Sequence, residues 1–172
     1  AGTAGRWRGV AAAGLAVGVV AAGVFLAGEV FLRRALLDTS VTSYERGAAL
    51  VPAWADVSRL GARIESFHGL HDPDHRQRAL ALARQATRRD PADPATWTYL
   101  GQLEMVWGSS DAAERALTRA LDRNPWLGDA LESRAVLAER QGDRPVREES
   151  CRRLDVLGRN PPVCRQAATV SS

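Results

Sequence analysis

The sequence contains no lysine. All 23 of its basic residues are arginine, in a chain of 172 residues with a formal net charge of +3. Two explanations fit that bias: the composition of a GC-rich bacterial genome, or guanidinium forks selected for phosphate. Recognition of nucleic acid needs a basic stripe with interleaved aromatics, and none is present, so nucleic acid is not expected as a partner. Arginine instead alternates with acidic residues, as in "ERALTRALDRN" over residues 114–124. That pattern suits solvated helix faces carrying i,i+4 charge pairs.

Chemical motifs are also scarce. The only two cysteines, Cys151 and Cys164, form no CxxC or CxxCH and have no metal-ligand spacing. There is no glycine-rich phosphate cradle, no serine or histidine in a nucleophile context, and no carboxylate pair singled out for acid–base work. Neither catalysis nor a cofactor is expected. Beyond Leu36, clusters of β-branched residues are scarce and the apolar residues recur with a helical period, so the fold class is all-α.

One long apolar run is present. Gly9 to Gly28 reads "GVAAAGLAVGVVAAGVFLAG", uncharged throughout, with Arg6 and Arg8 before it and Glu29, Arg33 and Arg34 after it. Twenty helical residues cover about 30 Å, the thickness of a bilayer core. An uncleaved anchor is expected over residues 9–32, with 1–8 as a cytoplasmic tail. A cleaved signal peptide is the rival, and Ala1 fits simple loss of an initiator methionine. Twelve of the twenty residues in the run are Gly or Ala, and Gly14, Gly18 and Ala22 share one face. Such a row lets another transmembrane helix approach closely. A GC-rich genome would also favour Gly and Ala. The arginines flanking the run nearly balance. An arginine pair before a first apolar helix leaves the carboxyl-terminal domain outside the cytoplasm.

The remainder carries repeated offsets. With Pro94 as position 1, Trp97 is position 4, Leu100 is 7, Gly101 is 8, Ala113 is 20, Leu117 is 24, Ala120 is 27 and Pro125 is 32. Small residues at 101 and 113 let two helices cross closely, Gly108 to Ser110 turns the chain, and Asp111 is expected to cap the second helix. These positions resemble the tetratricopeptide repeat, a helix-turn-helix unit of 34 residues. The family's tyrosine at position 11 is replaced by Glu104. Units are expected at 53–93, 94–127 and 128–161, with 33–52 as a lead-in helix and degenerate half-repeat, and 162–172 as a tail. The fold is thus an N-terminal transmembrane helix followed by a short α-solenoid of TPR-like units. The "NPP" at 160–162 is expected to end the last helix.

Unit 53–93 has an insertion, placed in the turn "FHGLHDPDHRQ", which holds all three histidines: His68, His71 and His75. Two readings compete: a metal site built from two or three histidines with a carboxylate, and a lengthened polar loop capped by aspartate and open to a partner. The cysteines likewise leave two readings. A disulfide would pin the tail to the last helix in an oxidising compartment, whereas Cys151 alone would be a small buried hydrophobe.

The resemblance implies protein binding in a groove lined by first helices. Its positions carry over to Ala95, Thr98, Gln102, Met105 and Val106, and to Asp129, Glu132, Val136, Glu139 and Arg140. The implied function is a single-pass scaffold or accessory subunit of a bacterial cytoplasmic-membrane complex. Its partners would be integral membrane proteins, lipid around the anchor and a soluble extracytoplasmic protein. A looser resemblance, over "ALARQATRRDPADPATWTYLGQL", is to the tail of O-antigen-ligase-like proteins, which implies an accessory of a glycan polymerase or ligase. The third reading is a metal- or redox-binding module.

Overall fold

Pro94 opens α5 (Pro94–Trp107), where a missing N–H is harmless, and the Asp93 carboxylate caps it by accepting from the Ala95 and Thr96 amides at 3.0 and 3.2 Å. Gly108 ends α5. The cap of α6 (Ser110–Arg123) is Ser109, whose hydroxyl accepts from the Ala112 amide at 3.2 Å. The expected cap, Asp111, lies instead inside the first turn, where its charge complements the helix dipole. The two helices cross at Gly101: a Cβ there would stand 2.8 Å from Cγ and Cδ2 of the fully buried Leu117. Trp97 closes the joint. Its Nε1 donates to the Pro91 carbonyl at 2.9 Å, and the guanidinium groups of Arg119 and Arg123 lie 4.8 and 5.3 Å from its ring centre.

The computed structural model describes residues 3–51 and 55–165, with side chains for 21–51 and 56–165. Three further antiparallel pairs flank α5–α6 or precede it: α1 (Thr3–Asp38) with α2 (Val41–Leu50), α3 (Ala55–His68) with α4 (Pro73–Arg89), and α7 (Gly128–Gln141) with α8 (Arg144–Val156). A single turn, α9 (Pro162–Arg165), follows. Each pair stacks on the one before. The first helix α3 lies on α1 and α2, α5 on α4, and α7 on both α5 and α6. One apolar core runs from Ala62 through Trp97, Leu100 and Leu121 to Leu131 and Leu154, and a second, with Leu32, Tyr44, Val57 and Ile64, joins α1, α2 and α3.

Glycines also set close approaches within the first pair and between it and α3. A Cβ on Gly47 of α2 would meet Leu32 at 2.8 Å, and one on Gly61 of α3 would fall 2.2 Å from the Tyr44 ring. Tyr44 of α2 is therefore wedged against the α3 backbone.

Four expectations need correction or placement. The boundary set between residues 32 and 33 falls inside one unbroken helix, because "EVFLRRALLD" keeps a helical apolar pattern with no Gly or Pro to stop it. The break comes at Thr39 and Ser40, where Thr39 adopts a left-handed φ of 49°. The lengthened histidine loop is a turn of four residues, Gly69 to Asp72, since α3 continues through His68 and Pro73 already starts α4. The insertion is shared between this turn, which is longer than the two-residue turn at Gly108 and Ser109, and α4, which runs 17 residues against 14 for α6. Helix α8 stops at Val156 before the left-handed Gly158, and Pro162 starts α9 where a helix end was expected. For the anchor, the backbone of residues 9–28 is helical, while the side chains of Gly14, Gly18 and all residues through position 20 lie outside the described residues; Ala22 is exposed. Among the described residues no helix is long and apolar enough to cross a membrane.

Candidate binding groove

Helices α5 and α7 lie side by side as first helices of adjacent pairs. Gln102, Met105 and Val106 of α5 and Asp129, Glu132, Val136 and Arg140 of α7 line one open cavity of about 380 Å³, together with Ser133. Three positions implied by the resemblance fall outside it. Thr98 is buried, its hydroxyl donating to the Pro94 carbonyl at 2.8 Å. Glu139 is paired with Arg147, and Ala95 is exposed at the start of α5.

Ser133 was not foreseen, because a small hydroxyl on a helix gives no signal of its own. It donates to the Asp129 carbonyl at 2.8 Å and accepts from Gln102 Nε2 at 3.1 Å, which fixes the Gln102 amide across the groove. The two ends differ in charge. At one, Arg159 donates to Asp129 at 2.8 Å and to Glu132 at 3.0 Å. At the other, Arg140 donates to the Met105 carbonyl at 3.3 Å. Asp129 and Arg140 are separated by about 16 Å along the helix axis. An extended peptide, advancing about 3.3 Å per residue, would place about five residues over that length.

A second, more apolar groove was missed by the sequence reading. Leu32, Leu36 and Leu37 of α1 face Val57 and Leu60 of α3 across about 500 Å³. Its rim holds two ion pairs, Arg33 with Glu29 at 2.6 Å and Arg59 with Asp56 at 2.5 Å, and Arg59 also reaches Asp93 outside it at 3.0 Å. Treating residues 33–52 as one lead-in helix hid the role of α1 as a first helix in its own pair.

The histidines serve different contacts. His68 Nε2 lies 2.8 Å from the Thr39 carbonyl, which ties the α1–α2 break to the end of α3. His75 Nδ1 meets the buried Glu65 carboxylate at 2.5 Å, with Arg78 Nε 3.6 Å from the same oxygen. The His68 and His75 rings lie 5.2 Å apart, and His71 is exposed. Among the described residues no group of three or more His, Cys, Asp or Glu is placed to hold a metal ion. Cys151 of α8 and Cys164 of α9 form a disulfide, with Cα atoms 5.4 Å apart.

No protein-family model matches the chain, and no curated protein matches it. Solved structures do. A crystal structure of MamA protein superposes with a TM-score of 0.64 at 17% identity, covering 82% of this chain and 75% of that one. A second crystal structure of MamA gives 0.59 at 16% identity, covering 78% and 74%. YrrB, described as a TPR protein with an unusual peptide-binding site, matches at 0.46 and 14% identity over 80% of this chain and 84% of its own, too distant to carry weight. At such identities the likeness to MamA is one of fold: this chain is all-α, built of stacked helix-turn-helix pairs.

Proposed function

We propose that this chain is a non-catalytic scaffold that holds a segment of another protein in the α5–α7 groove while its amino-terminal helix tethers it to the bacterial cytoplasmic membrane. The observation that carries the reading is the convergence of Gln102, Met105, Val106, Asp129, Glu132, Val136 and Arg140 from two successive first helices around one cavity. The apolar floor of Met105, Val106 and Val136 and the charged ends suit an extended peptide better than a compact small molecule.

The uncharged run Gly9 to Gly28 supports the tether. Its Gly14, Gly18 and Ala22 row favours an integral membrane protein as a second partner. The Cys151–Cys164 bridge supports an extracytoplasmic position for the helical pairs, since such bonds persist in oxidising compartments.

The full chain, extracted in mild detergent, tests both parts. Val136→Asp combined with Arg140→Glu should remove co-purifying protein without shifting the melting temperature, while Arg115→Glu, on α6, should remove none. Unchanged partners in the double variant refute the groove. Alkaline carbonate should leave the chain in the membrane pellet; full release refutes the tether and leaves the groove standing.

A further inference from the structure

We propose that the Cys151–Cys164 disulfide is a redox latch that holds α9 in the seat of a further first helix and so covers the carboxyl end of the stack. Helices α5, α7 and α9 begin at Pro94, Gly128 and Pro162, separated each time by 34 residues. Position in space follows position in sequence: α9 touches both α7 and α8, as α7 touches both α5 and α6. The turn α9 therefore starts in repeat register.

One helical turn is weakly stable by itself, because nucleation fixes several dihedrals for few hydrogen bonds. Within α9 no residue is buried; Val163 and Cys164 are only half covered. Cys164 is also the residue that packs against the core containing Leu131 of α7 and Leu154 of α8. The covalent tie and the apolar cover are thus the same side chain. Among the described residues, the hydrogen bonds that tie this segment to α7 and α8 lie just before α9. Arg159 binds Asp129 and Glu132 through its side chain, and its amide donates to the Leu154 carbonyl at 2.9 Å. Opening the bridge frees 162–165 and leaves the turn before it, and the groove that Arg159 borders, in place.

Access exists. Cys151 and Cys164 line an open cleft with Glu148, Arg152, Asp155 and Arg159. The opening step is exchange with a dithiol reductant. One reductant thiolate attacks a bridge sulfur and forms a mixed disulfide, and the second reductant thiol resolves it. Two electrons and two protons pass to Cys151 and Cys164, which become thiols, and the reductant becomes the disulfide.

Hydrogen exchange on the full chain, oxidised and after dithiothreitol, tests the latch. Exchange at 163–165 should rise tenfold or more on reduction, with α5 and α6 unchanged, and an apolar dye should bind the uncovered end. Reoxidation should reverse both changes, and Cys151→Ser with Cys164→Ser should match the reduced chain. Equal protection at 163–165 in both states overturns the proposal, because α9 is then held without the bond. Loss of protection across α5 to α8 overturns it as well, because the bond is then a staple of the whole stack.

Discussion

Arg84 of α4 gives both Nε and Nη2 to a single oxygen of Glu104 on α5, at 3.0 and 2.7 Å. Glu104 is 3% exposed, while the Arg84 side chain is 52% exposed. This buried carboxylate stands where the resembling family places tyrosine, and it ties the second helix of one pair to the first helix of the next. Its other oxygen needs Gly108, since a Cβ there would fall 1.8 Å from Glu104 Oε2.

Removing the arginine alone should therefore be worse than removing both charges. Arg84→Ala leaves a carboxylate in the core without its donor and should cost about 2–3 kcal/mol. Arg84→Met with Glu104→Leu should lie within about 1 kcal/mol of the wild type. Urea unfolding of the three proteins measures this. Equal midpoints for Arg84→Ala and the wild type would mean that water already satisfies Glu104.

Gly61 should be intolerant for a reason that can be isolated. A Cβ there meets Tyr44 Cζ at 2.2 Å and its hydroxyl at 2.4 Å, so Gly61→Ala must displace α2 from α3. Overpacking of this kind costs about 1–3 kcal/mol, against roughly 1 kcal/mol gained by Ala over Gly in a helix. Combining it with Tyr44→Ala removes the clash. A double-mutant cycle should show the Gly61→Ala penalty vanishing in the Tyr44→Ala background. A penalty that persists there places the strain elsewhere.

Trp97 is held by one hydrogen bond and by two guanidinium groups over its ring, and two variants separate the bond from the ring contacts. Trp97→Phe loses the Nε1 bond to Pro91 while keeping a ring for Arg119 and Arg123, and should cost about 1–2 kcal/mol. Trp97→Leu also loses the ring face and should cost about 3 kcal/mol. Thermal melts of the two variants check the order. A Phe variant as damaged as the Leu variant would assign the whole effect to the Pro91 bond.

These residues divide by how visible they were beforehand. Trp97, Gly101, Ala113 and Leu117 each answer one steric demand of a crossing helix pair, so their spacing alone disclosed α5 and α6. Seven of the ten positions carried over in the same register line the α5–α7 cavity, because the outward face of a first helix is set once its inward face is known. Glu104 and Glu65 were not legible. A buried carboxylate reads like any solvated one when its partner, Arg84 or Arg78, comes from another helix. The break at Thr39 was equally silent, being a left-handed turn made without glycine. The histidine turn misled because Gly69 and Pro73 look like loop residues, whereas Pro at the start of α4 is compatible with helix and Asp72 caps it.

Asp93 offers a pH test of an inter-helix cap. Its carboxylate takes the Thr96 hydroxyl at 2.5 Å, the Ala95 and Thr96 amides, and Arg59 of α3 at 3.0 Å. Burial alone would raise its pKa, but the Thr96 hydroxyl, the Ala95 amide, the Arg59 charge and the Thr96 amide together outweigh it and hold the group below its ordinary value. A depressed carboxylate pKa contributes stability that is complete above the unfolded value of about 3.9 and is lost as pH falls through the folded value. Asp93→Asn keeps an N-cap but removes the charge. At pH 7 it should be less stable by about 0.5–1 kcal/mol. The gap from the wild type should then close as the pH falls below about 4, where the wild-type carboxylate takes up its proton. Urea midpoints from pH 7 down to the acid limit of folding measure that gap. A gap that stays constant across the range would assign the role of Asp93 to cap geometry, with its charge and the Arg59 contact contributing nothing.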